Sequence, residues 1–276
     1  MTLRDSFHIR TTTYKDIFTL NNTDTESMYL KAIIIATSFI LISCTQNPPS
    51  KSTKETSAQS NCILTCDNKD YVIPGNKHKI RKVSQHQSEE FRKKMQLVQK
   101  EYTNQSSKNA LARALNMLNE IEASQLTNPE RTFVYEQKSA LYLKQESYAA
   151  ASDELLKIIK LSPEIPVSKE AETYKTLSNI HFLLNDKRKA LQYYLTWTEY
   201  QMAIMPAEYA HISKLFEETG NLRRATANFA RALELKKSPI TTEEYQHLKS
   251  LYEMSGDLAG AQKIEAMIEK PFKLNL

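Results

Sequence analysis

The sequence predicts an all-α protein built as a row of helical hairpins, on three observations. A tyrosine is followed sixteen residues later by an alanine four times, as Tyr135/Ala151, Tyr174/Ala190, Tyr209/Ala225 and Tyr245/Ala261, and the tyrosines step by 39, 35 and 36 residues. Within a unit the apolar residues keep three- and four-residue spacing: Tyr209, Ile212 and Phe216 on one helix, then Leu222, Ala225, Phe229 and Ala232 on the next. Such spacing lines one face of a helix. Only four of the 276 residues are glycine, which suits helices and leaves little material for glycine-rich phosphate loops. The net charge of +5 is too mild to call for a nucleic-acid partner.

The N-terminal region reads as an address. Residues 32–42, AIIIATSFILI, are uncharged and mostly apolar, follow Lys31 and end at Ser43-Cys44. A run of about 11 residues is too short to span a bilayer as a helix, but it fits the apolar region of a signal peptide. Leu41-Ile42-Ser43-Cys44 resembles the bacterial lipoprotein box, which places a small residue at the cleavage point and a thiol where lipid attaches. The resemblance implies residues 28–43 as signal peptide, Met28 as the natural start, residues 1–27 as a non-native extension and Cys44 as the lipidated residue. Thr45 after the cysteine, rather than Asp, implies the outer membrane, with the chain facing the periplasm. Without cleavage, the same region would instead anchor a regulator facing the cytosol.

Residues 44–87 are rich in Asn, Pro, Ser, Thr, Lys and Gln with little apolar periodicity, and are read as a flexible, disordered tether. Within it Cys62 and Cys66 stand four apart and, in an oxidising compartment, would form a local disulfide. With His78 and His86 they make an alternative Cys2His2 zinc set, and with it a metal-responsive envelope sensor. Seven residues between the histidines exceed the usual three to five. Lys77, Lys79, Arg81 and Lys82 form a small basic cluster, read as solvated tether.

The helical part opens with a degenerate capping pair in 88–130. Its helices are expected at 88–102, with Phe91, Met95 and Val98 on one stripe, and at 107–124, with Leu111, Ala114, Leu118 and Ile121. Four hairpins follow in 131–270, at 132–165, 171–204, 206–239 and 242–270, before a tail at 271–276. The tetratricopeptide family, which these hairpins resemble, keeps a small residue where the two helices approach, and here Ser139, Ser178 and Ser213 hold it, with Lys249 departing. Ala151, Ala190, Ala225 and Ala261 face it from the second helix, where a larger residue would push the helices apart. The turn between helices calls for positive φ, supplied by Asn185, Gly220 and Gly256, with Glu146 the exception. Pro163, Pro239 and Pro271 are read as ending second helices.

This register resembles the tetratricopeptide repeat, whose period is about 34 residues. The resemblance covers well over half the chain and implies a right-handed superhelical array. Its first helices line a concave groove that takes a peptide or a partner helix. Mapping the inward positions of that family selects Phe133, Lys144, Lys175, Asn179, Phe182, Lys214 and Gln246, a set of cations and aromatics suited to an extended peptide bearing a carboxylate or acidic side chains. Lys175 and Asn179 match the first two positions of the family's carboxylate clamp. His211 stands where the clamp has Asn, and Glu243 and His247 where it has basic residues, so the resemblance stops short of a dedicated clamp.

His181 takes a position that other units fill with Tyr142, Phe216 and Tyr252, and is read as a seam residue. His211 and His247 are placed near helix edges, and the tyrosines and Trp197 in the core. No phosphate loop, HExxH helix, nucleophile elbow or Cys-x-x-Cys pair occurs in the sequence. The expectation is a non-catalytic, cofactor-free, lipid-anchored scaffold for an envelope protein. Its layout resembles that of pilotin-type lipoproteins, which help pilus and secretin rings assemble, and of adaptors of peptidoglycan enzymes.

Overall fold

The computed structural model describes residues 70–77, 81–103 and 109–269. Among them are ten α-helices and no strand. They are α1 (Glu89–Tyr102), α2 (Ala110–Glu122), α3 (Asn128–Lys144), α4 (Tyr148–Ile159), α5 (Val167–Leu183), α6 (Lys187–Thr198), α7 (Pro206–Glu218), α8 (Leu222–Leu235), α9 (Thr242–Ser255) and α10 (Leu258–Glu269). Each close backbone packing of two helices joins neighbours in sequence, so the chain is a row of hairpins each leaning on the next. This is the tetratricopeptide-type, all-α architecture expected from the register.

Each full hairpin closes on a buried alanine of its second helix. Ala151, Ala190 and Ala225 are fully buried and Ala261 is 4% exposed, so the second helices approach without a side chain between. Facing them, Ser178 Oγ donates to the carbonyl of Ala190 at 2.7 Å and Ser213 Oγ to that of Ala225 at 2.8 Å. Ser139 is just as buried but its hydroxyl has no partner. At the departing position, Lys249 Nζ reaches across the last hairpin to Glu265 at 2.7 Å.

All four turns take positive φ: 57° at Glu146, 59° at Asn185, 81° at Gly220 and 83° at Gly256. After each, the next N–H donates back five residues at 2.9 Å, as Ser147 to Tyr142, Asp186 to His181, Asn221 to Phe216 and Asp257 to Tyr252. That is the six-to-one bond of a Schellman ending. Glu146 therefore adopts the left-handed conformation without being glycine or asparagine.

Two helix starts and two helix ends differ from the expectation. The helices α3 and α5 begin at Asn128 and Val167, four residues earlier than the repeat register placed them. At α3 the reason is a capping box: Glu130 accepts from Thr127 N–H at 3.0 Å and Thr127 Oγ1 at 2.9 Å. The helices α4 and α8 stop at Ile159 and Leu235, four residues ahead of the prolines read as their terminators, so Pro163 and Pro239 lie in connections. Pro271 is outside the described residues.

The larger difference lies in the segment read as tether. Residues 70–77 are docked along the array as an extended strap. Val72 is 8% exposed within the main core, its N–H donates to Asn228 Oδ1 at 2.9 Å, and its carbonyl accepts from Tyr209 Oη at 3.0 Å. Gly75 N–H bonds Thr198 O at 3.1 Å and Lys77 N–H bonds Glu199 O at 2.8 Å. Two members of the basic cluster are engaged: Lys77 Nζ lies 2.5 Å from Glu199, and Arg81 lies 2.7 Å from buried Glu170. Farther on, Ser88 ties the start of α1 to the first full hairpin, its N–H and Oγ donating to Glu130 at 2.8 and 2.7 Å.

Candidate functional site

Lys175, Asn179 and Phe182 fall at i, i+4 and i+7 of α5 and so share one stripe of that helix. The neighbouring α7 brings Glu208, His211 and Lys214 alongside, and the end of α6 supplies Tyr194 and Trp197. Trp197 and Tyr194 are 5% and 3% exposed, forming an aromatic floor with ring centroids 4.8 Å apart.

Lys175 Nζ lies over the Trp197 ring, 4.2 Å from its centroid, and 3.2 Å from Glu208 Oε1. The ring quadrupole and the carboxylate both hold the ammonium in place. Beside it opens a cleft of about 660 Å3 lined by Ala171, Glu172, Trp197, Tyr200 and Gln201, with Arg81 and Gln85 of the strap region as outer wall.

The stripe continues at Phe182. Lys187 Nζ is 3.4 Å and Lys214 Nζ 5.4 Å from its ring centroid, and the His211 ring is 6.5 Å away. The His211 ring also lies 4.6 Å from Tyr194, tilted by 50°, which joins the two halves of the surface. Lys187 is paired with Glu218 at 3.2 Å, whereas exposed Lys214 has no carboxylate partner among the described residues. Burial, reinforced by the charges of Lys214 and Lys175, lowers the His211 pKa to about 4, so the ring is neutral at pH 7. The surface therefore offers one unpaired cation, Lys214, two paired cations, Lys175 and Lys187, and apolar ring faces. That combination can hold an acidic extended chain by charge and by contact.

The other residues selected from the sequence lie elsewhere. Phe133 is half-buried against Phe91 of α1, edge to face at 6.1 Å. Lys144 is exposed as a residue, with Nζ 3.9 Å from the Tyr102 centroid, and partial desolvation of the ammonium lowers its pKa. Gln246 is exposed on α9. Cys44, Cys62, Cys66 and His78 lie outside the described residues, and His86 is exposed. Among the described residues there is no group of three metal-capable side chains and no helix long and apolar enough to cross a membrane.

His211 and Glu208 were not selected from the sequence. The signal available was that each sits three residues from another member of the surface, Lys214 for His211 and His211 for Glu208, which places them on one face of α7. His181 lies in the seam as expected, 7% exposed, with Nε2 3.2 Å from Ser152 Oγ and Nδ1 3.8 Å from Asp186. Ser152, His181 and Asp186 are lined up in space as the three residues of a hydrolase triad are, but Ser152 is 4% exposed and does not line the cleft. Burial lowers the His181 pKa, and the trio ties α4 to the hairpin after it.

No family model matches the sequence, and no curated protein matches it. Among solved structures, MamA from Desulfovibrio magneticus RS-1 is similar at 14% identity, TM-score 0.47, covering 67% of this chain and 96% of that one. A tetratricopeptide repeat protein from Parabacteroides merdae is similar at 15% identity, TM-score 0.47, covering 66% of this chain and 68% of that one. The repeat architecture described here rests on the chain's own helix order, seams and turns.

Proposed function

We propose that this chain is a non-catalytic protein-binding scaffold of the bacterial cell envelope, lipid-anchored through Cys44 and facing the periplasm from the outer membrane. The α5–α7 surface is read as the seat of an extended, acidic segment of an envelope protein. The observation that carries the binding part is the unpaired Lys214 beside Phe182 and neutral His211, continuous through Tyr194 with the Lys175–Trp197 cleft. An acidic side chain gains a charge-assisted partner at Lys214 without breaking an existing pair, and the rings give the rest of the segment apolar contact.

The anchoring part rests on the likeness of Leu41-Ile42-Ser43-Cys44 to the lipoprotein box. A tether between membrane and array raises the local concentration of a bound partner at the envelope, which suits the assembly of pilus or secretin rings and the control of peptidoglycan enzymes. Two measurements test the parts separately. Cys44→Ala should abolish incorporation of a fatty-acid probe, and persistent labelling contradicts anchoring. Lys214→Glu should weaken capture of the partner about tenfold or more by charge reversal, with anchoring unchanged.

A further inference from the structure

The strap is held in the manner of a bound peptide. Asn228 is fully buried in α8, and its Nδ2 donates to Arg224 O at 2.7 Å, which orients Oδ1 outward to the Val72 N–H. Tyr209, 3% exposed, turns its hydroxyl to the carbonyl of the same residue. One acceptor and one donor, set in an apolar core, thus read the two backbone groups of a single residue, whatever its side chain.

Selectivity comes from the surroundings. Val72 fills the slot, Tyr71 packs edge to face on Tyr209 at 6.2 Å with Arg231 5.1 Å from its centroid, and Asp70 pairs with Arg223. Gly75 lies so close to Glu199 that a Cβ there would overlap its backbone. The slot therefore fits an extended segment with an acidic residue, an aromatic and a β-branched residue in succession, and a glycine three positions on.

We propose that this slot, formed by Tyr209, Asn228, Arg231, Arg223 and Glu199, is a second peptide-docking site filled in cis by residues 70–77. Once the strap is released, it accepts a segment of the same chemistry from a partner protein. The strap carries the specificity of the trans ligand in its own sequence, and its covalent connection gives it the advantage of high effective concentration. The site is separate from the Lys214 surface, so the two can fail independently.

The test uses the full chain and a labelled octapeptide of the strap sequence, Asp-Tyr-Val-Ile-Pro-Gly-Asn-Lys, read by fluorescence anisotropy alongside circular dichroism. Gly75→Val releases the strap by overlap with Glu199, and Val72→Asp does so by placing a charge in the slot. Each should bind the peptide at least about tenfold more tightly than the unaltered chain while keeping its helical signal. Adding Asn228→Ala should remove the gain, Lys214→Glu should leave it intact, and a scrambled peptide should not bind. The proposal is overturned if neither folded variant gains affinity, or if the scrambled peptide binds equally well. It is also overturned if both variants lose their helices, which makes the strap a fixed part of the core. Dimers that the peptide cannot dissociate would assign the slot to a second copy of the chain and overturn it as well.

Discussion

At His211 burial and two lysines act in the same direction, and the consequence is measurable. The folded value is about 4 against about 6.5 for a free imidazole, so between these values the unfolded chain binds more protons. Stability contributed by the neutral ring is therefore complete above about pH 6.5 and lost as the pH falls towards 4, by on the order of 3 kcal/mol. His211→Phe should flatten that part of the stability profile in urea titrations, and an unchanged slope would show that the ring is solvated. Glu130 gives a second, more acidic limb. Burial pushes its carboxyl up, but the N–H groups of Thr127 and Ser88 and their hydroxyls outweigh this and hold it at about 2. Its contribution is present above about pH 4.5 and lost as the pH falls towards 2. Glu130→Gln should remove that limb while α3 still forms.

The repeated seam separates two serines that look equivalent in sequence. Ser213 donates across its hairpin, so Ser213→Ala should cost about 1 kcal/mol in denaturant unfolding. Ser139 is buried without a partner, so Ser139→Ala should be neutral or stabilising. A loss at Ser139 equal to that at Ser213 would mean an unseen partner. At the turns, Glu146 adopts φ 57°, a conformation that costs little for glycine, and Glu146→Gly should stabilise by roughly 0.5–1 kcal/mol. These features were legible because they are local: the sixteen-residue Tyr-to-Ala interval and the turn residues record contacts made within one hairpin. The early starts of α3 and α5 were not: the Thr127/Glu130 capping box is a signal that a repeat register overlooks, and α5 starts directly after Pro166 with no side-chain cap.

For the whole molecule, the order of the hairpins could be read from the sequence, while the position of the strap could not. Val72 meets Asn228 across 156 residues and Tyr209 across 137, and no periodicity in a Lys- and Asn-rich stretch announces partners at that distance. The candidate surface was half legible. Lys175, Asn179, Phe182 and Lys214 follow from the resemblance to the tetratricopeptide repeat and its inward positions, whereas the places of His211 and Glu208 depend on α7 lying against α5 and α6. Phe133 shows the converse: an inward register position is taken by packing against Phe91, once the capping pair covers it. The central claim is that the α5–α7 surface binds a protein partner, and photocrosslinking tests it most directly. A benzophenone side chain would be placed in turn at Phe182 and at exposed Lys189 of α6, each with and without Lys214→Glu. A single discrete adduct from position 182, absent from position 189 and lost with Lys214→Glu, is the expected result. The same adducts from both positions, or an adduct from 182 that survives the charge reversal, would contradict it.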